Sequence, residues 1–153
     1  MKFAVVATVA SVALFVSGCA SVPMTSKELS AQAKRFDAPP AGQSGIYIYR
    51  DSNIGGAIKK DIWIDGECLG ESAPQVFFYK SVDGDREHVI STESEFSPNQ
   101  ISIFTKSGTN YFVRQYIKIG VFVGGADLEV VPSEQGASAV QELSLAQSGN
   151  CNK

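Results

Sequence analysis

Asp61-Ile62-Trp63-Ile64-Asp65-Gly66-Glu67-Cys68-Leu69-Gly70 is the stretch on which the fold turns. Two runs rich in β-branched and aromatic residues flank Asp-Gly. That dipeptide is the strongest short-range hairpin signal, because a two-residue type I′ turn needs positive φ at both positions. Such a turn sets Trp63 opposite Cys68 and Ile62 opposite Leu69, so Cys68 lies beside the single tryptophan. Outward from this hairpin the pattern repeats. Asp83-Gly84 separates runs at 76–82 and 85–92. Paired as a hairpin, these bring Lys80 to Glu87, Tyr79 to His88 and Phe78 to Val89, one opposite-charge pair and one apolar pair in register. Ser107-Gly108 separates 101–106 from 110–119, and Gly124-Gly125 separates 121–123 from 128–131. Upstream, Gly45-Ile46-Tyr47-Ile48-Tyr49-Arg50 reads as a strand with Ile46 and Ile48 on one face, followed by a loop over 51–56. Short strands at this spacing predict an all-β fold, an antiparallel β-sandwich or small barrel of about seven to eight strands.

Two short helices are expected at the ends. Thr25-Ser26-Lys27-Glu28 fits a capping box with Thr25 as N-cap and Glu28 at N3. It predicts a helix over 26–36 with Leu29, Ala33 and Phe36 as a thin apolar stripe, ended by Pro39-Pro40. A helix that short is marginal alone, so it has to dock or fray. Past Pro132, Ser138-Ala139-Val140-Gln141 is a second capping box. It predicts a helix over 138–148, with Ala139, Leu143 and Ala146 inward and Gly149 closing it.

The 153 residues are enough for one domain. Hydrophobic residues make up 44% and charged residues 19%, ordinary globular stock. The net charge of −3 and the lack of a basic patch argue against nucleic acid as a partner. Residues 1–18 read as a secretory signal: Lys2, then an apolar run over 3–16 that is too short for a membrane-spanning helix of about 20 residues. Val16-Ser17-Gly18-Cys19 resembles the bacterial lipobox, which implies cleavage between Gly18 and Cys19 and acylation of Cys19. The plainer reading is an ordinary signal peptide with a cysteine beside small residues. By resemblance to Gram-negative sorting rules, Ala20 directs the product to the outer membrane, lipid-anchored and facing the periplasm. The expected organisation is a signal at 1–18, a lipid-anchored tether at 19–44 and the β-domain with its C-terminal helix at 45–153. A fully extended tether of that length reaches roughly 80 Å.

With Cys19 taken by lipid, Cys68 and Cys151 remain, an even pair in an oxidising compartment. A disulfide between them is expected, the other arrangement being two unpaired thiols.

Ile48-Tyr49-Arg50, Asp65-Gly66-Glu67-Cys68-Leu69-Gly70, His88-Val89-Ile90-Ser91, Tyr111-Phe112-Val113-Arg114 and Lys118-Ile119-Gly120-Val121-Phe122-Val123-Gly124-Gly125 follow one another over about 44–132. In order and spacing they resemble the bacterial envelope lipoprotein family known as domain of unknown function 2846. The hairpins are also similar to the PEGA class of small β-modules, although Pro-Glu-Gly-Ala is absent. The resemblance implies an envelope β-domain and carries no catalytic residues.

Chemistry is sparse. His88 is the sole candidate for a neutral-pH base, and its strand position favours a structural role. No Gly-x-Ser-x-Gly nucleophile elbow exists, and Gly42-Gln43-Ser44-Gly45 fails by spacing. The carboxylate pairs Asp83 with Asp85 and Glu93 with Glu95 lie on loops, where exposed acids are usually just solvated. Asp83-Gly84-Asp85 with Glu87 lacks a calcium loop. No catalytic residue, metal site or cofactor is assigned. The segment over 117–125 has surplus apolar residues. It is either a strand buried on both faces or an exposed loop that docks a partner or dips into lipid headgroups. In the second case Val121 and Phe122 make the apolar contacts and Arg50, Arg114 and Lys118 form a polar rim. The function expected is a binding or structural module of the cell envelope, held to the membrane by its lipid and engaging an envelope protein or polymer. The alternatives are a carboxylate-based hydrolase of an envelope polymer and a small-ligand carrier.

Overall fold

The computed structural model describes residues 19–94, 96–120 and 124–152. Among them, α1 (Lys27–Ala33) precedes β1 (Gln43–Arg50), β2 (Lys60–Ile64), β3 (Glu67–Ser72), β4 (Val76–Asp83), β5 (Arg86–Thr92), β6 (Asn99–Thr105), β7 (Asn110–Lys118) and β8 (Gly125–Val131). Then come α2 (Ser133–Gln141) and the two-residue β9 (Ser144–Leu145). The strands form two sheets, β8-β7-β1-β4-β9 and β3-β2-β5-β6.

The architecture is built around β1. Its Ile46 and Ile48 enter a core shared by the two sheets, with Phe78, Val113 and Leu128 from its own sheet and Ile62, Ile64, Ile90 and Ile103 from the other. Tyr47 and Tyr49 point to the opposite face, where they pack with Phe77, Phe112, Val140 and Leu143 under the helices. A strand buried on both faces has no reason to alternate with polar residues, and Ile-Tyr-Ile-Tyr does not. Tyr47 stacks on Phe112 with ring centroids 4.9 Å apart, and Phe36 packs edge-on to both rings.

The Asp65-Gly66 hairpin is present. Both residues have positive φ, 52° and 80°, and Trp63 pairs with Cys68. A bulge between Ile62 and Trp63 sets Ile62 opposite Gly70 rather than Leu69. The next two turn signals are not hairpins. β4 pairs with β1 and β9, while β5 pairs with β2 and β6. Asp83-Gly84 therefore carries the chain from one sheet to the other, and Ser107-Gly108 carries it back. The two arches meet: the Asp85 carboxylate accepts a hydrogen bond from the Ser107 amide at 3.1 Å, and the Gly84 amide donates to the Gly42 carbonyl at 2.8 Å. The expected Lys80–Glu87, Tyr79–His88 and Phe78–Val89 pairs do not form. His88 lies opposite Ile103 instead. β7 and β8 do form a hairpin, from Phe112↔Val131 to Lys118↔Gly125. The expected strand at 121–123 lies outside the described residues. The five-stranded sheet is mixed rather than antiparallel, since β1 runs parallel to β7 and β4 parallel to β9.

The helices shift from their expected places. Ser26, not Thr25, is the N-cap of α1, its hydroxyl accepting from the Leu29 amide at 3.2 Å. Thr25 instead donates from both its amide and its hydroxyl to the Leu145 carbonyl. α1 stops at Ala33, and Leu29 is exposed rather than inward. α2 starts directly after Pro132 and ends before the expected helix is half complete. Residues 144–145 are extended because they pair with Val76 and Phe77. Gly136 lies within α2 because the helix rides so close to β7 that a Cβ there would collide with Phe112.

The segment expected as a lipid-anchored tether is packed on the body. The Ala20 amide donates to the Gly56 carbonyl at 2.8 Å, and Gln147 donates from its amide to the Pro23 carbonyl at the same distance. Val22 is buried in the shared core, and Met24 bridges Ala146. The chain from Ala20 onward therefore adds almost no reach.

Candidate functional site

One end of the two-sheet body collects most of the residues singled out by sequence. Cys19 is exposed there with a free thiol, one residue before the Ala20–Gly56 hydrogen bond. Arg50 is not a rim residue. It follows Ile46 and Ile48 along the inward face of β1 and is fully buried, at 0% exposure. Its Nη1 donates to the Ile58 carbonyl at 2.7 Å, and its Nη2 donates to the carbonyls of Ile54 at 3.1 Å and Gly55 at 2.8 Å. Burial pulls its pKa below the ordinary arginine value, and the three carbonyl dipoles compensate the charge. The guanidinium thus shapes the 51–58 loop from inside.

Arg114 and Lys118 are partly exposed on β7, each in an ion pair. Arg114 Nε donates to Asp51 at 2.8 Å and its Nη1 to Glu129 at 3.1 Å. Lys118 Nζ meets Asp127 at 2.8 Å. Val121 and Phe122 lie outside the described residues, as does Gly18.

At the other end, the space between the edges of β3 and β4 opens into a pocket of about 370 Å³. Asp65, Glu67, Lys80, Asp83, Arg86 and His88 all contribute to its wall. His88 is 3% exposed. Its Nδ1 donates to Asp65 Oδ2 at 2.6 Å, and its Nε2 lies 2.8 Å from the Asp83 carbonyl. Both nitrogens are thereby committed, and the imidazole ties the Asp65 turn to the arch at the end of β4. Asp65 Oδ1 also accepts from the Val89 amide at 2.9 Å. Burial alone raises the Asp65 pKa. The Val89 and His88 hydrogen bonds, with the charges of His88 and Arg86, outweigh it and hold the carboxyl below its ordinary 3.8. A carboxyl depressed in this way is a poor general acid.

A group whose folded pKa is depressed adds stability above its unfolded value and loses it as pH falls through the folded one. Asp65→Asn keeps a residue tolerant of positive φ and removes the charge. The stability gap between wild type and Asp65→Asn is expected at about pH 7 and should close as pH falls below about 4, read from urea midpoints. A gap unchanged at low pH would contradict the role given to the Asp65 carboxylate.

Two of the loop acids singled out by sequence bind backbone amides. Asp85 caps the Ser107 amide, and Glu93 accepts from the Asp61 amide at 3.1 Å. Glu95 lies outside the described residues. Among the described residues no group of three His, Cys, Asp or Glu side chains is placed to hold a metal ion. Sequence reasoning missed two arrangements. One is the Asp65–His88 pair, joined across 23 residues. The other is a buried link in which Gln115 joins Ser72 and Thr92 across the two sheets. Nothing in the spacing of these residues signals either contact.

Cys68 and Cys151 form a disulfide. It fastens the C-terminal segment to β3, next to the Gly149 amide bond to the Leu69 carbonyl at 2.9 Å.

The described residues form a mainly β protein of two sheets, two helices and one disulfide. The chain belongs to the family described as protein of unknown function (DUF2846), whose model matches residues 40–126. It is also similar to an uncharacterized protein of Haemophilus influenzae, 57% identical over 140 residues, which cover 92% of this chain and 83% of that relative. The family segment runs from the approach to β1 into β8. The disulfide's Cys151 and Ala20, the neighbour of Cys19, lie outside it, while Gly56, to which Ala20 is bonded, lies inside.

Proposed function

We propose that this chain is an outer-membrane lipoprotein, cut before Cys19 and acylated there, whose body is a β-sandwich of mixed strand direction serving as a binding or structural module of the periplasmic face. The observation that carries the reading is the division of labour among the cysteines. Cys68 and Cys151 are bonded to each other, while Cys19, at the lipobox, is exposed and unpaired. An oxidised pair fits an envelope compartment, and a third cysteine left accessible at the start of the folded body fits a lipid attachment point.

The module reading is favoured over an enzyme because Asp65, Asp85 and Glu93 accept hydrogen bonds from backbone amides, and the one histidine has both nitrogens engaged. It is favoured over a carrier because the space between the sheets is filled by aliphatic side chains. The surface pocket at the Asp65–His88 end keeps a polar small ligand as a second reading.

Cys19→Ala tests the address. Wild type is expected to sediment with the outer membrane and to take up labelled fatty acid. The variant should lose the label and stay with the uncleaved precursor or the soluble fraction. Equal labelling and sedimentation of both would overturn the proposal.

A further inference from the structure

We propose that the free edge of β4 at Tyr79 and Ser81 takes an extended peptide segment of a partner protein, added as a further strand, with an acidic side chain beside Lys80 and apolar side chains over Tyr79 and Leu145. This rests on the reading above of a module that engages an envelope protein, and it names the kind of segment engaged.

β1 covers one edge of β4 along its whole length. The other edge is covered only at its two ends. β9 pairs there with Val76 and Phe77, where the Ser144 amide donates to the Gln75 carbonyl at 3.3 Å and the Ala146 amide to the Phe77 carbonyl at 2.9 Å. The chain then leaves β4, and the Gln147 amide donates to Pro23 instead. At the far end the Asp83 carbonyl lies 2.8 Å from His88 Nε2 and accepts from the Thr105 hydroxyl at 3.2 Å. The carbonyls of Gln75, Phe77 and Asp83 thus all point away from β1. By strand alternation the backbone groups of Tyr79 and Ser81 do the same. Among the described residues no strand pairs with these two on that side. Their N–H and C=O groups form a short open row, in line with groups that already pair with a strand.

A hollow flanks this edge on each face of the sheet. In an added strand, the residue opposite Lys80 and the residues opposite Tyr79 and Ser81 project to different faces. On the Lys80 face lies the pocket of about 370 Å³ between β4 and β3. Of the charges on its wall, Asp65 is paired with His88 and Asp83 with Arg86. Lys80 has no ion pair among the described residues, and Glu67 stands on the β3 wall. Lys80 is the unpaired charge on the receiving strand itself, so it favours an acidic side chain directly across from it. On the other face, Leu29, Tyr47, Tyr79 and Leu145 line a second hollow of about 330 Å³. Leu29 is 54% exposed, and apolar side chains of the added strand would cover it. The segment that suits both faces is extended and alternates apolar with acidic residues. Main-chain bonds to the edge supply affinity, and the two hollows supply selectivity.

The test uses the full acylated protein, isotope-labelled, in detergent micelles. The probes are blocked peptides of about six residues, an ordinary strand length, that alternate valine with glutamate, lysine or glutamine. A fully N-methylated form of the glutamate peptide removes its main-chain donors. Amide shifts centred on Tyr79, Lys80 and Ser81 are expected, with the glutamate peptide binding about tenfold tighter than the lysine peptide and the N-methylated form silent. Lys80→Glu should reverse the preference. Ser81→Pro removes an N–H that points away from β1, a position at which an edge strand tolerates proline. It should weaken binding by about tenfold or more with melting unchanged, while Ser81→Ala binds as wild type does. Shifts that avoid Tyr79 and Ser81, an N-methylated peptide that binds like its parent, a lysine peptide that binds as tightly as the glutamate one, or no shift with any peptide at millimolar concentration would overturn the proposal. Any of these in a protein whose intact mass carries the acyl chains leaves the lipoprotein reading standing.

Discussion

Replacing Cys68 and Cys151 together with serine is expected to lower the melting temperature by roughly 10 °C or more. The bond closes a loop of 83 residues, for which the chain-entropy model gives roughly 4–5 kcal/mol, with measured losses for native disulfides of about 2–5 kcal/mol. The loss has a local address as well. The 146–152 segment hangs on scattered hydrogen bonds, from Ala146 to Phe77, Gln147 to Pro23, Gly149 to Leu69 and the Asn152 amide to Asp61. Without the covalent staple those bonds stand alone on an extended chain. Amide exchange at Gly149 and Asn152 should accelerate before the sheets open. Since Gln147 also holds Pro23, the seat of Cys19 should loosen with it. A double variant that melts with wild type, with unchanged exchange at these amides, would contradict the role given to the bond.

The second large effect is expected at Arg50. Arg50→Met keeps much of the buried volume and removes three charge-assisted hydrogen bonds. The carbonyls of Ile54, Gly55 and Ile58 then lose their inner partner. Such losses cost about 1–3 kcal/mol for each group that water cannot reach. A total near 3 kcal/mol is expected in urea unfolding. Arg50→Lys should fall between, because one ammonium cannot span three carbonyls as a planar guanidinium does. Limited proteolysis should locate the damage, with new cleavage inside 51–58 in the Met variant. A Met variant within about 0.5 kcal/mol of wild type would mean that the loop holds its shape without the arginine.

The parts of the fold legible in the sequence are those decided by neighbouring residues. Asp65-Gly66 needs positive φ at two adjacent positions, and the I′ hairpin with its Trp63–Cys68 pair follows from that. The same kind of dipeptide at Asp83-Gly84 and Ser107-Gly108 says that the chain bends. It does not say whether the next strand stays in the sheet, and there the choice fell to the shared core, which drew β5 and β6 to the second sheet. The plausible Lys80–Glu87 register was a coincidence of spacing. α2 was displaced in sequence reasoning because Ser138-Ala139-Val140-Gln141 reads as a capping box, whereas the helix starts at Ser133 and takes in Gly136, a poor helix former that its close approach to Phe112 requires. Arg50 looked like a rim cation because arginines mostly are. Its parity with Ile46 and Ile48 was the available signal that it points inward. The 19–44 segment read as a tether whose helix must dock or fray; it docks, with Val22 in the shared core, Ala20 against it, and Ala33 and Phe36 against the aromatic cluster.

For the site, Cys19 and the Cys68–Cys151 pair were legible as residue types in a compartment. The end of the body at which Cys19 emerges was not, since that depends on a single backbone hydrogen bond between Ala20 and Gly56.

Lipid anchor and disulfide are both read from the intact mass of the membrane-extracted protein, taken before and after reduction with thiol labelling. The expected species is a chain of residues 19–153 carrying acyl chains, with no labelled thiol until reduction and two afterwards. A chain beginning elsewhere, an unacylated Cys19, or thiols labelled without reduction would contradict that reading.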